Sequence, residues 1–303
     1  MPGILLDAIL PIFAVASLGV LVGRWFNPDP RPISQLALYV FSPALIFSSL
    51  STADIPLRDI LSIFGFLVLW TPAMYIVSRL IAWQFGFRAK SQNAFLLSTL
   101  FMNAVNYGLP VAFFAFGEEG LDRALLFLAP MAIMSGTFAI WVASNGTSGS
   151  GLRGFLPLLR IPTFYATLGA LAINPLNLKF PTFVANPLNL LGDAAIPTML
   201  IVLGLQLTRA SIRAELFPAS VATIVRLLIS PALAYGCTLI LGMDGVTQQI
   251  VIVLSGMPTA VYTIILATEF DSRPNQVTSA VALTTICSLF TLTSLLWMVQ
   301  RWL

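Results

Sequence analysis

Asn103-Ala104-Val105-Asn106-Tyr107-Gly108-Leu109-Pro110 gathers two amides, a phenol, a glycine and a proline inside an otherwise apolar stretch bounded by Lys90 and Glu118. Proline removes a backbone donor and crowds the preceding turn, and glycine loosens the dihedrals. A helix here is therefore expected to open between Tyr107 and Pro110. Opened backbone at membrane depth is tolerated only where protein buries it or where it lines a wet cavity. A second stretch, Ser255-Gly256-Met257-Pro258-Thr259-Ala260, has the same character and is followed by Tyr262. A single break of this kind reads equally well as a packing kink. Two breaks in matching places favour a substrate site. The chemistry they offer is recognition: half-helix N-termini present free amides and a partial positive charge to an anion, and loosened carbonyls suit a cation or a neutral donor. Asn103 and Asn106 add amide donors, and Ser255, Thr259 and Tyr262 add hydroxyls. Tyr107, Gly108, Pro110, Met257 and Pro258 complete the candidate substrate-binding set. This set holds no fixed positive charge, so a carboxylate would be bound by dipoles and hydrogen bonds, weakly enough to be released.

The elements that must carry these breaks are membrane helices. Of 303 residues 58% are hydrophobic and only 9% charged, and the mean hydropathy is +0.92. Soluble chains carry roughly a quarter charged residues. Ten apolar segments are read, at residues 4–22, 33–50, 60–85, 94–116, 124–143, 156–173, 188–207, 217–241, 246–268 and 277–299. Each suffices to cross ~30 Å of hydrocarbon as a helix. Ten basic residues (Arg24, Arg31, Arg79, Arg88, Lys90, Arg153, Arg160, Arg209, Arg213 and Arg273) fall by the odd-numbered loops, against four (Arg58, Arg123, Lys179 and Arg301) on the other side. That bias puts the odd loops in the cytoplasm and both termini outside. The first segment lacks a basic leader and a small-residue cleavage site, so it is taken as a retained helix, with Asp7 as an exposed terminal charge. The dispersed basic residues, net +3, form no nucleic-acid patch.

The chain divides into a first five-helix unit (residues 1–143), a short polar linker (144–152) and a second unit (153–303). Asn145-Gly146-Thr147 matches a glycosylation triplet but is read as cytoplasmic linker. Pro43 in the second segment answers Pro197 in the seventh, and Pro110 answers Pro258; Pro43 and Pro110 stand 67 positions apart, Pro197 and Pro258 61. The exits correspond too, Phe116-Gly117-Glu118-Glu119 as an acidic outer loop and Glu269-Phe270-Asp271 after the second break. An odd number of helices per unit inverts the second unit against the first, the architecture in which discontinuous helices meet near the midplane and form a transport site.

Two ionisable residues fall inside helices. Asp193 is either a proton or cation coupling site or a cap near an interface. Arg226 is either a counter-ion or, as favoured here, a side chain that snorkels to the cytoplasmic surface. Cys237 and Cys287 read as small apolar residues, and Gln206 as a helix-end polar group. With no histidine, no phosphate loop and no paired aspartate runs, no enzyme signature is present and no cofactor or metal is expected. A static pore fits two matched breaks less well than alternating access.

At these residues the whole chain resembles the auxin efflux carrier family, which includes plant auxin carriers and bacterial permeases of malate and related acids. Asn103, Gly108 and Pro110 stand on its Asn-x-x-x-x-Gly-x-Pro pattern. Ala194-Ala195-Ile196-Pro197 through Leu203-Gly204 is similar to its helix-seven block, and Met257-Pro258 with Glu269 to its helix-nine crossover. The resemblance implies ten helices in a fold similar to sodium/bile-acid symporters, with helices four and nine crossing at their prolines. Helices one, two, six and seven would form a scaffold, and the others would move as an elevator. It also implies that Asn103 contacts a substrate carboxylate. The central loop is far shorter than that of the long plant carriers, so kinase control through it is not expected, and Thr259 and Ala260 differ from residues common in plants. The expectation is a carrier of auxin-like or other mono- and dicarboxylates in a cytoplasmic (inner) membrane, with a homodimer as the implied assembly. The alternative expectation is a sodium- or proton-coupled exchanger of the same fold, coupled through Asp193.

Overall fold

A computed structural model describes residues 8–144, 162–176, 178, 180–209 and 215–303. Asp7, the linker with its Asn145 triplet, Arg153, Arg160, Lys179 and Arg213 lie outside them. The described chain is helical, and its one strand-like feature is an isolated bridge. In chain order the helices are α1 (Leu10–Phe26), α2 (Pro30–Leu36), α3 (Ser42–Leu50), α4 (Leu57–Gln84), α5 (Lys90–Leu100), α6 (Leu109–Ala143), α7 (Pro162–Ile173), α8 (Thr182–Asp193), α9 (Ala195–Arg209), α10 (Leu216–Ile224), α11 (Ser230–Ile240), α12 (Gly245–Ser255), α13 (Tyr262–Glu269) and α14 (Pro274–Trp302).

Five runs among the described residues are long and apolar enough to cross a bilayer: Pro30–Leu50, Leu57–Gln84, Thr182–Thr208, Leu216–Ile240 and Pro274–Trp302. Their exposed apolar stripes are what a lipid-facing surface requires, as on α4, where Leu57, Leu61, Phe64, Val68, Ile76, Leu80 and Trp83 all face outward. The chain is an integral, multi-pass membrane protein. The remaining apolar segments are shorter or interrupted. The exit expected after Phe116 is a sharp reversal: Gly117, at φ 66° and ψ −157°, a conformation L side chains resist, separates two helical stretches of α6, 109–116 and 118–143, and the chain turns back so closely that a Cβ on Gly120 would lie 3.0 Å from Ala112 O.

Three π turns share one cause. Ala37–Phe41 precedes Ser42-Pro43, Ala104–Gly108 precedes Leu109-Pro110, and Val225–Ile229 precedes Ser230-Pro231. In each, the residue before the proline donates its N–H five residues back, Ser42 to Ala37, Leu109 to Ala104 and Ser230 to Val225. Proline cannot donate, and its ring clashes with the carbonyl four residues earlier, so one widened turn relieves the crowding and keeps the helix running. Ala37 O also accepts the buried Ser42 hydroxyl, at 2.6 Å.

α1 and α9 pack more closely than side chains normally permit. Gly19 of α1 faces Gly204 of α9, and a Cβ on Gly204 would lie 2.8 Å from the Gly19 Cα and inside the radius of Ala16 O. Small residues at such a crossing let two backbones approach, which is how membrane helices associate where lipid is as apolar as leucine. Gly204→Val is expected to wedge the pair apart at a cost of about 2 kcal/mol. The check is a lowered melting temperature of the purified protein in detergent.

Candidate functional site

The first break lies upstream of its expected place. α5 stops at Leu100 and residues 101–103 are extended or irregular, whereas Tyr107 and Gly108 sit in a π turn and Pro110 in the first turn of α6. The reason is that the π turn before Pro110 absorbs the missing donor, so the helix runs through the proline and is interrupted upstream of it. The second break, residues 256–261, separates α12 from α13.

The two breaks pair with each other. Met102 and Thr259 form an antiparallel bridge, in which Asn103 N–H donates to Pro258 O at 2.8 Å and Ala260 N–H to Phe101 O at 2.9 Å. Helix C-termini leave carbonyls without intrahelical partners, and a buried one must be satisfied elsewhere. Here Thr259 Oγ1 donates to Ser98 O at 2.7 Å. The Thr259 N–H donates to Thr284 Oγ1 of α14 at 3.1 Å. Ser230 Oγ donates to Ser255 O at 2.6 Å.

Arg226 provides the rest. Its side chain is fully buried. Nε donates to Met257 O at 2.9 Å, one terminal nitrogen to Thr99 O at 2.7 Å, and the other to Ser255 O. Its guanidinium carbon lies 5.6 Å from the centre of the Trp70 ring, within the range of cation–π attraction. The snorkelling orientation expected for Arg226 is therefore wrong, and so is the absence of fixed charge at the site. What holds the side chain inside is a set of backbone carbonyls at or just past the ends of α5 and α12, which lack intrahelical partners. A cation suits the place, since two helix C-termini, each a partial negative charge, converge on it. No carboxylate pairs with it among the described residues, and donors remain on both terminal nitrogens.

Asn103 is 5% exposed and its Nδ2 has no partner, and neither has the buried Ser255 hydroxyl. Asn106 is half-buried on the π turn. Tyr107 is fully buried; its hydroxyl accepts from Ser288 Oγ of α14 at 3.2 Å, and its ring stands edge-on to Phe13 of α1 at 6.0 Å. Gly108 abuts α12, since a Cβ there would reach 2.8 Å from Leu254 Cδ2. Tyr262 meets Phe101 edge-on at 6.2 Å. Met257 and Pro258 contribute carbonyl oxygens rather than side chains. Asp193, at the exposed last position of α8, joins none of these contacts. The sequence reading missed Arg226 as a member of the crossing, along with Ser98, Thr284, Ser288 and Trp70. The signal available was an arginine four residues before a Ser-Pro pair in an apolar segment.

Residues 154–297 match a family described as membrane transport protein. Along nearly its whole length the chain is similar to an uncharacterized transporter of Methanothermobacter thermautotrophicus, 28% identical over 94% of this chain and 95% of that one. It is 24% identical to a provisionally named malonate transporter of Rhizobium meliloti, over 96% and 95% of the two chains. Auxin efflux carrier component 2 of Arabidopsis thaliana is 28% identical over 41% of this chain, a stretch that is 20% of the plant protein.

Proposed function

We take as premise that the chain is a membrane transport protein of the auxin efflux carrier family, and propose that it is a secondary transporter of small organic anions that are recognised where the two broken helices pair. Transport rather than catalysis is what the family and the relatives indicate. The observation that carries the substrate class is the buried Arg226 guanidinium, fixed by three carbonyls and without a carboxylate among the described residues. An ionisable residue in the membrane interior is costly and usually has a partner. A substrate carboxylate would supply that partner, with the unpartnered Asn103 Nδ2 and Ser255 Oγ as further contacts. The N-terminal ends of the π turn and of α13 add a partial positive potential. Malonate and auxin, the compounds in the relatives' names, are both small carboxylic acids.

In the ten-helix inverted-repeat reading, α1–α3 with α7–α9 form the scaffold and the other helices the moving part. The tight Gly19–Gly204 contact supports a rigid scaffold. The Phe13–Tyr107 ring contact and the Ser49-to-Asp122 hydrogen bond cross between the two groups. An elevator motion would break and remake such contacts. The test is counterflow in proteoliposomes: labelled malonate or indole acetate should be taken up in exchange for internal unlabelled acid and saturate. Imposed sodium or proton gradients, repeated with Asp193→Asn, decide whether Asp193 couples an ion. Carboxylate exchange indistinguishable from that of empty liposomes would remove the anion assignment.

A further inference from the structure

A cleft of about 540 Å³ opens far from the crossing, between the last turns of α4 and the 85–92 segment. Tyr75, Arg79, Trp83, Phe87, Arg88 and Gln92 line it, with Ile76 and Leu80 on its outer flank. Its size falls in the ~300–1,000 Å³ range of small-molecule sites. Arg79 donates to the Tyr75 hydroxyl at 2.9 Å and lies 5.9 Å from that ring's centre, so its planar group is held in place. Neither Arg79 nor Arg88 forms an ion pair among the described residues, whereas the adjacent Lys90 is paired with Asp271. No acidic residue lines the cleft.

The surroundings specify the occupant. Ile76, Leu80 and Trp83 are 56%, 59% and 78% exposed and continue the lipid-facing stripe of α4, so the cleft opens sideways to the bilayer. Trp83 beside two arginines at the end of a membrane helix is the arrangement expected at headgroup depth. Phe87 backs the cleft, packed on Phe95 at 5.2 Å and on Phe217 of α10 at 6.1 Å. A free anion would use the arginines and leave the apolar flank idle. A diacyl lipid would use both.

We propose that this cleft is a binding site for an anionic phospholipid, its phosphate held by Arg79 and Arg88 and its acyl chains lying along Ile76, Leu80 and Trp83. Two guanidinium groups at a membrane surface favour an anionic over a zwitterionic headgroup by roughly 30-fold. The test is native mass spectrometry of the whole protein, released from vesicles of phosphatidylcholine with a minor share of phosphatidylglycerol. Wild type should retain phosphatidylglycerol with about that preference. The double variant Arg79→Gln/Arg88→Gln should retain it only a few-fold, and Arg79→Lys/Arg88→Lys most of it. The wild-type preference needs no variant to fold. Equal retention of the two lipids by wild type, an undiminished preference in a folded glutamine variant, or complete displacement of lipid by millimolar inorganic phosphate would each overturn the proposal.

Discussion

Asn103→Ala should cut the uptake of a transported carboxylate at low concentration by about 10- to 100-fold while leaving the melting temperature unchanged or raised. The two halves of this result have separate causes. In the structure Asn103 Nδ2 is buried without a partner, and such a donor costs on the order of 1–3 kcal/mol of desolvation. Removing it cannot weaken a hydrogen bond that does not exist, so stability is retained. A hydrogen bond from that amide to a charged carboxylate contributes about 1.5–3 kcal/mol, which sets the size of the transport loss. Uptake assays in proteoliposomes and thermal denaturation of the same preparation make the comparison. A variant that transports normally removes Asn103 from the recognition site.

Arg226→Gln should do the opposite to stability. The shorter amide cannot reach Thr99 O, Ser255 O and Met257 O together, as the guanidinium does. Ser255 O keeps its bond from Ser230 Oγ, but the other two carbonyls lose the donor seen here. At ~1–3 kcal/mol for each stranded group the expected loss is about 2–6 kcal/mol, together with loss of transport. Arg226→Lys is the informative companion. It keeps the charge but not the fork, so it should recover part of the anion binding and little of the lost stability. The measurements are melting temperature and the thermal shift produced by malonate, since a ligand that binds only the native state raises its melting point.

Much of this organisation is written in local chemistry. The low charge and the apolar runs mark a membrane protein, and the two Gly/Pro-bearing stretches mark the places where helices are interrupted. What the sequence does not display is the consequence of each proline. The same residue type ends no helix at Pro43 or Pro231, where a π turn absorbs the missing donor. Pro110 follows a π turn of the same kind, so the true gap falls upstream of it, at residues 101–103. The inward course of Arg226 has a different source: the carbonyls of Thr99, Ser255 and Met257 that hold it are brought together only by the crossing. The hydroxyls of Thr259 and Ser230 find carbonyls distant in sequence, on α5 and α12. Those pairings are set by how the helices cross, which no local pattern encodes. Asn103, by contrast, could be singled out from type and position alone, because an amide beside a helix break at membrane depth has few structural uses.

Alternating access requires that the crossing be reached in turn from the two sides of the membrane. The most direct measurement is thiol accessibility of Ser255→Cys, in protein whose Cys237 and Cys287 are replaced by alanine, reconstituted in one orientation. Position 255 is fully buried in this structure and its hydroxyl is unpartnered. The expected result is labelling by a membrane-impermeant thiol reagent from either side, slowed by a transported carboxylate. A thiol that reacts from one side only, or whose labelling such anions do not slow, would contradict an alternating anion site at the paired breaks.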